Sequence, residues 1–249
     1  MTFKNSSHRR KNILTGEWVL VSPHRTKRPW QGMQEQAKEL KTLKYDPNCY
    51  LCPGNTRANN EINPDYKNTY SFINDFSAIL DIKTEYYNDN LLEAHTESGI
   101  CKVLCYSPNH SLTMPQMDES EIVSIIKLWQ KEYKDLGSLK SINNIQIFEN
   151  KGESMGCSNP HPHGQIWAQK SIPTEILKKQ NNFKKFYKNN NQSMLLTYIK
   201  KELELKERII FENESFVALV PFWAVWPYES MIITKNHRKS ILELNEKEV

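Results

Sequence analysis

The sequence predicts an α+β fold, antiparallel sheet with helices packed against it, in a chain of 249 residues. Three observations carry that expectation. Short apolar runs bounded by Gly, Pro, Asn and Asp recur along the chain, as strands do. Residues 101–106 alternate with a period of two, the mark of a half-buried strand. Residues 119–136 carry one apolar stripe at helical spacing, formed by Ile122, Ile125, Ile126, Trp129, Tyr133 and Leu136.

In order, Thr15 and Gly16 predict a turn and residues 17–21 a strand, which runs into a basic loop between Pro23 and Pro29. A polar stretch reaches Pro47, and residues 55–66 read as loop because Asn59, Asn60, Asn63 and Pro64 crowd it. Residues 70–73 and 78–82 are expected to be extended. The 119–136 helix has its start marked by Asp118 and Glu121, a capping-box pair, and its end by Gly137. Strands are expected at 145–148 and 161–168. Residues 175–206 are expected to be helical with a break near Asn189 to Asn191, and strands at 208–211, 216–220 and 229–233 follow. Asn109-His110, eight residues before Asp118, is echoed 127 residues later by Asn236-His237, eight before Asn245. If that echo is an internal repeat, the second copy stops at Val249 where its helix should begin, and the sequence is cut inside a domain.

Composition bounds the function. No apolar run approaches the roughly 20 residues a membrane helix needs. The basic, polar first eleven residues carry no apolar core, which argues against a secretory signal. Lys and Arg number 33 against 29 Asp and Glu, a net +4 too mild to predict nucleic-acid binding but suited to small anionic substrates. The five cysteines, an odd number, argue for free thiols in a reducing cytoplasm.

Two stretches carry chemistry. Cys49 and Cys52 form a Cys-x-x-Cys knuckle with Pro53-Gly54 behind it. Two thiolates so spaced can grip a tetrahedral zinc, with His110 and His161 as candidates for the remaining positions. A redox pair or two buried thiols is the alternative. In His161-Pro-His163-Gly-Gln165 an extended chain puts both imidazoles and the amide on one face. A neutral imidazole is a good nucleophile toward phosphorus, and an amide beside it can donate to a phosphoryl oxygen. A metal-binding His-x-His is the alternative, and both hold if His161 binds metal while His163 faces substrate. The small-residue loop from Asn150 through Cys157 and Ser158 could form an anion-binding nest, or be plain loop. Arg25 and Arg28 could pair a phosphate, or be solvated.

Taken together these segments resemble the galactose-1-phosphate uridylyltransferase family of the histidine-triad superfamily. The likeness rests on residues 20–32, on Cys49-Tyr-Leu-Cys-Pro-Gly-Asn55, on Asn74-Asp75-Phe76, on residues 148–152 and on Gly156-Cys-Ser-Asn-Pro-His-Pro-His-Gly-Gln-Ile-Trp167, with residues 222–228 in support. It covers essentially the whole chain. The resemblance implies a histidine-triad-like unit over residues 1–170, holding the catalytic strand and the zinc site, and a partial second copy over 171–249. It implies UMP exchange between UDP-glucose and galactose 1-phosphate, with His163 as nucleophile, Gln165 and Ser158 on the transferring phosphoryl group, and Arg25, Arg28, Asn74 and Asp75 on substrate. Asn150 and Cys157 join them as substrate contacts, and Cys49, Cys52, His110 and His161 as zinc ligands. The family also implies a homodimer, but the hexose-recognising segment that reaches across it has no counterpart before Val249. Lys179 stands where members with a second metal carry glutamate, so that site is expected to be absent. A zinc-stabilised nucleotide-binding protein without turnover, and a sugar-nucleotide phosphorylase or hydrolase, remain as alternatives.

Overall fold

The computed structural model describes residue 3 and residues 5–29, 43–157 and 159–249. It divides into two units, Met1–Gln36 with Pro173–Glu248, and Ala37–Ile172 with Val249. In chain order the strands are β1 (His8–Lys11), β2 (Trp18–Val21), β3 (Tyr70–Ile73), β4 (Tyr86–Asp89), β5 (Leu92–His95), β6 (Gly99–Cys105), β7 (Asn144–Phe148) and β8 (His163–Gln169). Near the end come β9 (Ile209–Glu212), β10 (Phe216–Leu219) and β11 (Met231–Thr234). The helices are α1 (Glu119–Gly137), α2 (Thr174–Asn190) and α3 (Met194–Leu205).

The unit around Ala37–Ile172 is built on a four-stranded sheet in the order β3-β6-β8-β7, antiparallel throughout. Alternation sorts its residues onto two faces. Leu104 from β6 and Ile166 and Ala168 from β8 point to α1 and bury with Ile125, Leu128 and Leu136. Each leucine or isoleucine among them contributes about 1.5–3 kcal/mol when fully removed from water. The opposite face carries Val103 and Cys105, which pack with Cys49, Leu51, Cys52, Tyr66 and Phe72. The register sets Cys105 opposite His163 and Val103 opposite Gln165, so the chemistry-bearing end of β8 lies on this second face.

Helix α1 begins where the sequence predicts. Asp118 accepts from Glu121 N–H at 2.9 Å, and Glu121 Oε2 accepts from Asp118 N–H at 3.0 Å. Its end differs: Gly137 is the last helical residue and the cap is Ser138 in right-handed geometry, so no left-handed glycine terminates it. Its buried face differs too. Glu132 is buried within the stripe because Lys102 of β6 reaches it at 2.5 Å and the Ser71 hydroxyl donates to its other oxygen. The expected strand at 78–82 reduces to one bridge, Leu80 with Ser98, and an unpredicted hairpin, β4-β5, follows.

In the other unit β1 pairs with β2 around the predicted turn, where Gly16 has φ +81°. Helix α2 ends at Asn191, left-handed at φ 50°, which accounts for the expected break before α3. The sheet β11-β10-β9 buries Val217, Leu219 and Ile233 against Ile199 of α3. The faint repeat reappears as geometry. Asn245 N–H donates to Glu248 at 3.0 Å and Glu248 N–H donates to Asn245 at 3.2 Å, the same reciprocal pair as Asp118 and Glu121. No helix among the described residues is long and apolar enough to cross a membrane.

Candidate active site and metal centre

Cys49 and Cys52 are placed by a tight turn: Cys49 N–H donates to Asp46 O, Cys52 N–H to Cys49 O, and Leu51 N–H reaches the Cys49 sulfur at 3.4 Å. The turn is braced by two asparagines. Asn55 donates to the carbonyls of Asp46 and Cys49, and Asn63 to those of Tyr50 and Cys52. His110, from the loop before α1, and His161, two residues before β8, close on the same point. One ligand atom from each of Cys49, Cys52, His110 and His161 lies within 4.8 Å of all the others, and all four side chains are buried. Both imidazoles turn Nδ1 toward Cys52 Sγ, each at 3.6 Å.

The surroundings fit a metal ion. His161 Nε2 lies 2.9 Å from Ser107 O and 3.0 Å from the Tyr66 hydroxyl, whose own proton goes to Leu51 O at 2.6 Å. With only acceptors around it, Nε2 carries the proton and Nδ1 keeps its lone pair for the cluster. Burial pushes His161 down to about 4, so the ring is neutral at pH 7. Burial pushes the Cys52 thiol up to about 11, with Cys49 beside it adding to the effect. A cation at this point would favour the thiolate and reverse that shift.

The second face of the sheet then opens into a cleft of about 340 Å³ lined by Tyr50, Phe72, Asn74, Asp75, His163 and Gln165 among others. That volume falls in the range of small-molecule sites. His163 is half-buried in its wall. Its Nδ1 is 2.7 Å from the carbonyl oxygen of His161, an acceptor, so in the neutral ring Nδ1 bears the proton and Nε2 the lone pair. Strand β8 starts only at His163, so His161 is not on a strand face beside it, as the sequence predicts; it turns into the metal cluster instead. Gly164 is required behind His163. A Cβ there would stand 2.7 Å from Tyr106 Cζ and 3.0 Å from Phe148 O. Asn74 N–H donates to Cys101 O, and the Asn74 side-chain oxygen accepts from Phe76 N–H. Its amide N–H groups are thereby left for a ligand. Asp75 Oδ1 lies 3.3 Å from Arg57 Nη1.

Of the other residues singled out in the sequence, Ser158 lies outside the described residues. Cys157 is half-buried and its thiol donates to Asn159 O at 3.1 Å; Asn150 is half-buried at the head of the same loop. Arg25 and Arg28 are exposed and belong to the other unit.

Comparison with known proteins decides the kinship. The family described as galactose-1-phosphate uridyl transferase, N-terminal domain, matches residues 1–173, and its C-terminal domain matches residues 179–249. The galactose-1-phosphate uridylyltransferase of Haemophilus influenzae is 47% identical over 243 residues, covering 97% of this chain and 69% of that protein. The chain belongs to the galactose-1-phosphate uridylyltransferase family. The Saccharomyces cerevisiae member is 45% identical, over 98% of this chain and 70% of its own. A solved uridylyltransferase, 24% identical, shares the fold with a TM-score of 0.72 over 96% of this chain and 70% of that one. An ADP-glucose phosphorylase from Arabidopsis thaliana, solved with bound ADP-glucose, is 26% identical with a TM-score of 0.71, over 96% of this chain and 72% of that one.

Sequence reasoning missed several residues of this uridylyltransferase-family site. Asn159 donates to Cys49 Sγ at 3.5 Å and accepts from His161 N–H at 2.9 Å, joining the knuckle to the start of β8. Tyr66 holds His161, and Arg57 faces Asp75. Asn159 sat inside the quoted motif and could have been noticed; nothing in the sequence distinguishes Tyr66 or Arg57.

Proposed function

We propose that the chain exchanges UMP between UDP-glucose and galactose 1-phosphate through a covalent uridylyl intermediate on His163 Nε2. The observation that carries this reading is the hydrogen bond from His163 Nδ1 to His161 O, which in the neutral ring leaves the lone pair on Nε2, in a side chain that lines a cleft together with Gln165. As a uridylyltransferase-family member the chain is a nucleotidyltransferase of galactose metabolism. In the first step the Nε2 lone pair forms a bond to the α-phosphorus, and the bond to the bridging oxygen breaks. That oxygen leaves with its electrons on glucose 1-phosphate. In the second, a phosphate oxygen of galactose 1-phosphate attacks the same phosphorus, and the N–P bond returns its pair to the imidazole.

The Nδ1 proton stays on the ring, hydrogen-bonded to the His161 carbonyl throughout, which favours the cationic imidazole of the intermediate. Gln165 donates to the phosphoryl oxygens as charge builds on them. Ser158, Arg25 and Arg28 take the phosphates, and Asn150 and Cys157 border them. Asn74 and Asp75 meet the nucleoside, and the apolar wall of Tyr50, Phe72 and Val103 suits a flat base. Two thiolates and two imidazoles are the donor set of a structural zinc site, so Cys49, Cys52, His110 and His161 would hold Zn²⁺. Zinc bound there supplies a structural cross-link. The catalytic strand and the metal cluster of the N-terminal unit lie within residues 37–170, while residues 1–36 group with 173–248, which resemble a second copy; the protein works in the cytoplasm, and the family's homodimer is the expected assembly.

Incubation with UDP-glucose followed by peptide mass spectrometry tests the reading. A uridylyl adduct on His163 that discharges to galactose 1-phosphate is the expected result; no adduct overturns it. The fold shared with an ADP-glucose phosphorylase favours one second reading. An adduct that discharges to inorganic phosphate and not to galactose 1-phosphate would establish that one instead.

A further inference from the structure

Arg57 is a charged residue in an unusual place. It sits in the loop after the knuckle, where Thr56 bridges Ile62, Arg57 N–H donates to Glu61 O, and Asn60 is left-handed at φ 68°. A loop this tight, bearing an arginine and a glutamate four residues apart, would ordinarily hold both in water. Glu61 is exposed, with 66% of its side chain accessible, yet the Arg57 side chain is only 4% accessible. The guanidinium turns inward instead, over the Phe72 ring at 4.1 Å from its centroid, and Nη1 approaches Asp75 Oδ1 at 3.3 Å. Glu61 closes on Nη2 from outside, while Nε has no partner. Burying a guanidinium is costly unless its partners are well held, and a surface pair with Glu61 would have avoided that cost.

Asp75 lines the cleft; its buried Oδ1 stands at ion-pair distance from the guanidinium without a hydrogen bond, so charge attraction and not a directed bond turns that oxygen inward and leaves Oδ2 for a ligand. A carboxylate accepts hydrogen bonds and repels phosphate, so its natural partner is a sugar hydroxyl. We propose that Arg57 is a positioning residue for nucleotide binding, holding the Asp75 carboxylate so that its free oxygen accepts from a hydroxyl of the nucleoside. The inference rests on the nucleotide-transfer reading for the identity of the ligand. Ala58, the next residue, lines the same cleft, so the loop that carries Arg57 also forms part of its wall.

The test measures UMP binding by calorimetry and UDP-glucose turnover for wild type, Arg57→Met, Arg57→Lys, Asp75→Asn and the Arg57→Met/Asp75→Asn double variant. Loss of one hydrogen bond to a charged group weakens UMP binding about ten- to a hundredfold in Arg57→Met. Arg57→Lys, without the planar fork, recovers only part of this. KM for UDP-glucose rises in parallel, and kcat falls by less than about threefold, since the group acts before the phosphoryl step. In the Asp75→Asn background the Arg57 substitution adds less than about threefold, because the two act as one. A purely structural arginine would lower the melting temperature, leave UMP affinity within twofold of wild type, and give effects that multiply; that result overturns the proposal. If Arg57→Met fails to fold, by circular dichroism, the Arg57→Lys affinity decides. Absence of an adduct on wild-type His163 sinks the transfer reading alone, because UMP affinities still report on Arg57.

Discussion

At residue 163 a single hydrogen bond determines which nitrogen is available for chemistry, and at residue 161 the same kind of contact does so for a different purpose. His161 donates its Nε2–H to Ser107 O, leaving Nδ1 for the cluster; His163 donates its Nδ1–H to His161 O, leaving Nε2 for the cleft. Neighbouring histidines thus take opposite tautomers. Asn159 supports the first arrangement by touching both Cys49 and His161 N–H. Asn159→Ala is therefore expected to weaken metal retention about ten- to a hundredfold, read by competition with a chromophoric chelator. Retention equal to wild type would refute that role. The ligand-type residues were legible because cysteine and histidine announce themselves by chemistry and spacing. Tyr66 and Arg57 were not, since their roles arise from partners 95 and 18 positions away in the chain.

Among the elements, periodicity located α1 and its cap closely, yet misassigned part of its buried face. A glutamate reads as solvent-facing in any hydropathy pattern. Glu132 is inside only because Lys102 and Ser71, from two strands, meet it there. The β4-β5 hairpin escaped notice for the converse reason: its strands are exposed throughout and carry no alternation. In β8 the alternation is plain, but the strand begins two residues late because His161 is drawn to the knuckle. Gly164 lies on the packed side of that strand, where the Tyr106 ring fills the space of a Cβ. Gly164→Ala is expected to destabilise the protein by about 1–3 kcal/mol through overpacking. It should also slow adduct formation on His163 more than tenfold, measured by single-turnover labelling, because the adjacent backbone must shift. A melting temperature and labelling rate matching wild type would contradict this account.

For the molecule as a whole, three segments far apart in the chain meet at one buried point: the knuckle, the loop before α1 and the entry to β8. Stripping the metal leaves two thiols and two imidazoles facing one another without the bond energy that gathers them. Chelation is expected to lower the melting temperature by about 10 °C or more. Hydrogen exchange should quicken first in residues 43–68 and 157–163, and zinc should restore both. An unchanged melting curve after verified metal loss would show that packing alone holds this face. The main strands and both helical regions follow from pattern, whereas the sheet order and the grouping of residues 1–36 with the last quarter of the chain do not. No local signal in the first strands names their partners.

The peptide link between residues 161 and 162 serves two masters, and this has an evolutionary consequence. Every amino acid brings a main-chain oxygen, so substitution at position 161 can abolish metal affinity but cannot delete the acceptor that fixes the neighbouring ring. A lineage that lost its metal could keep the reactive tautomer, provided some other anchor held that oxygen where it now lies.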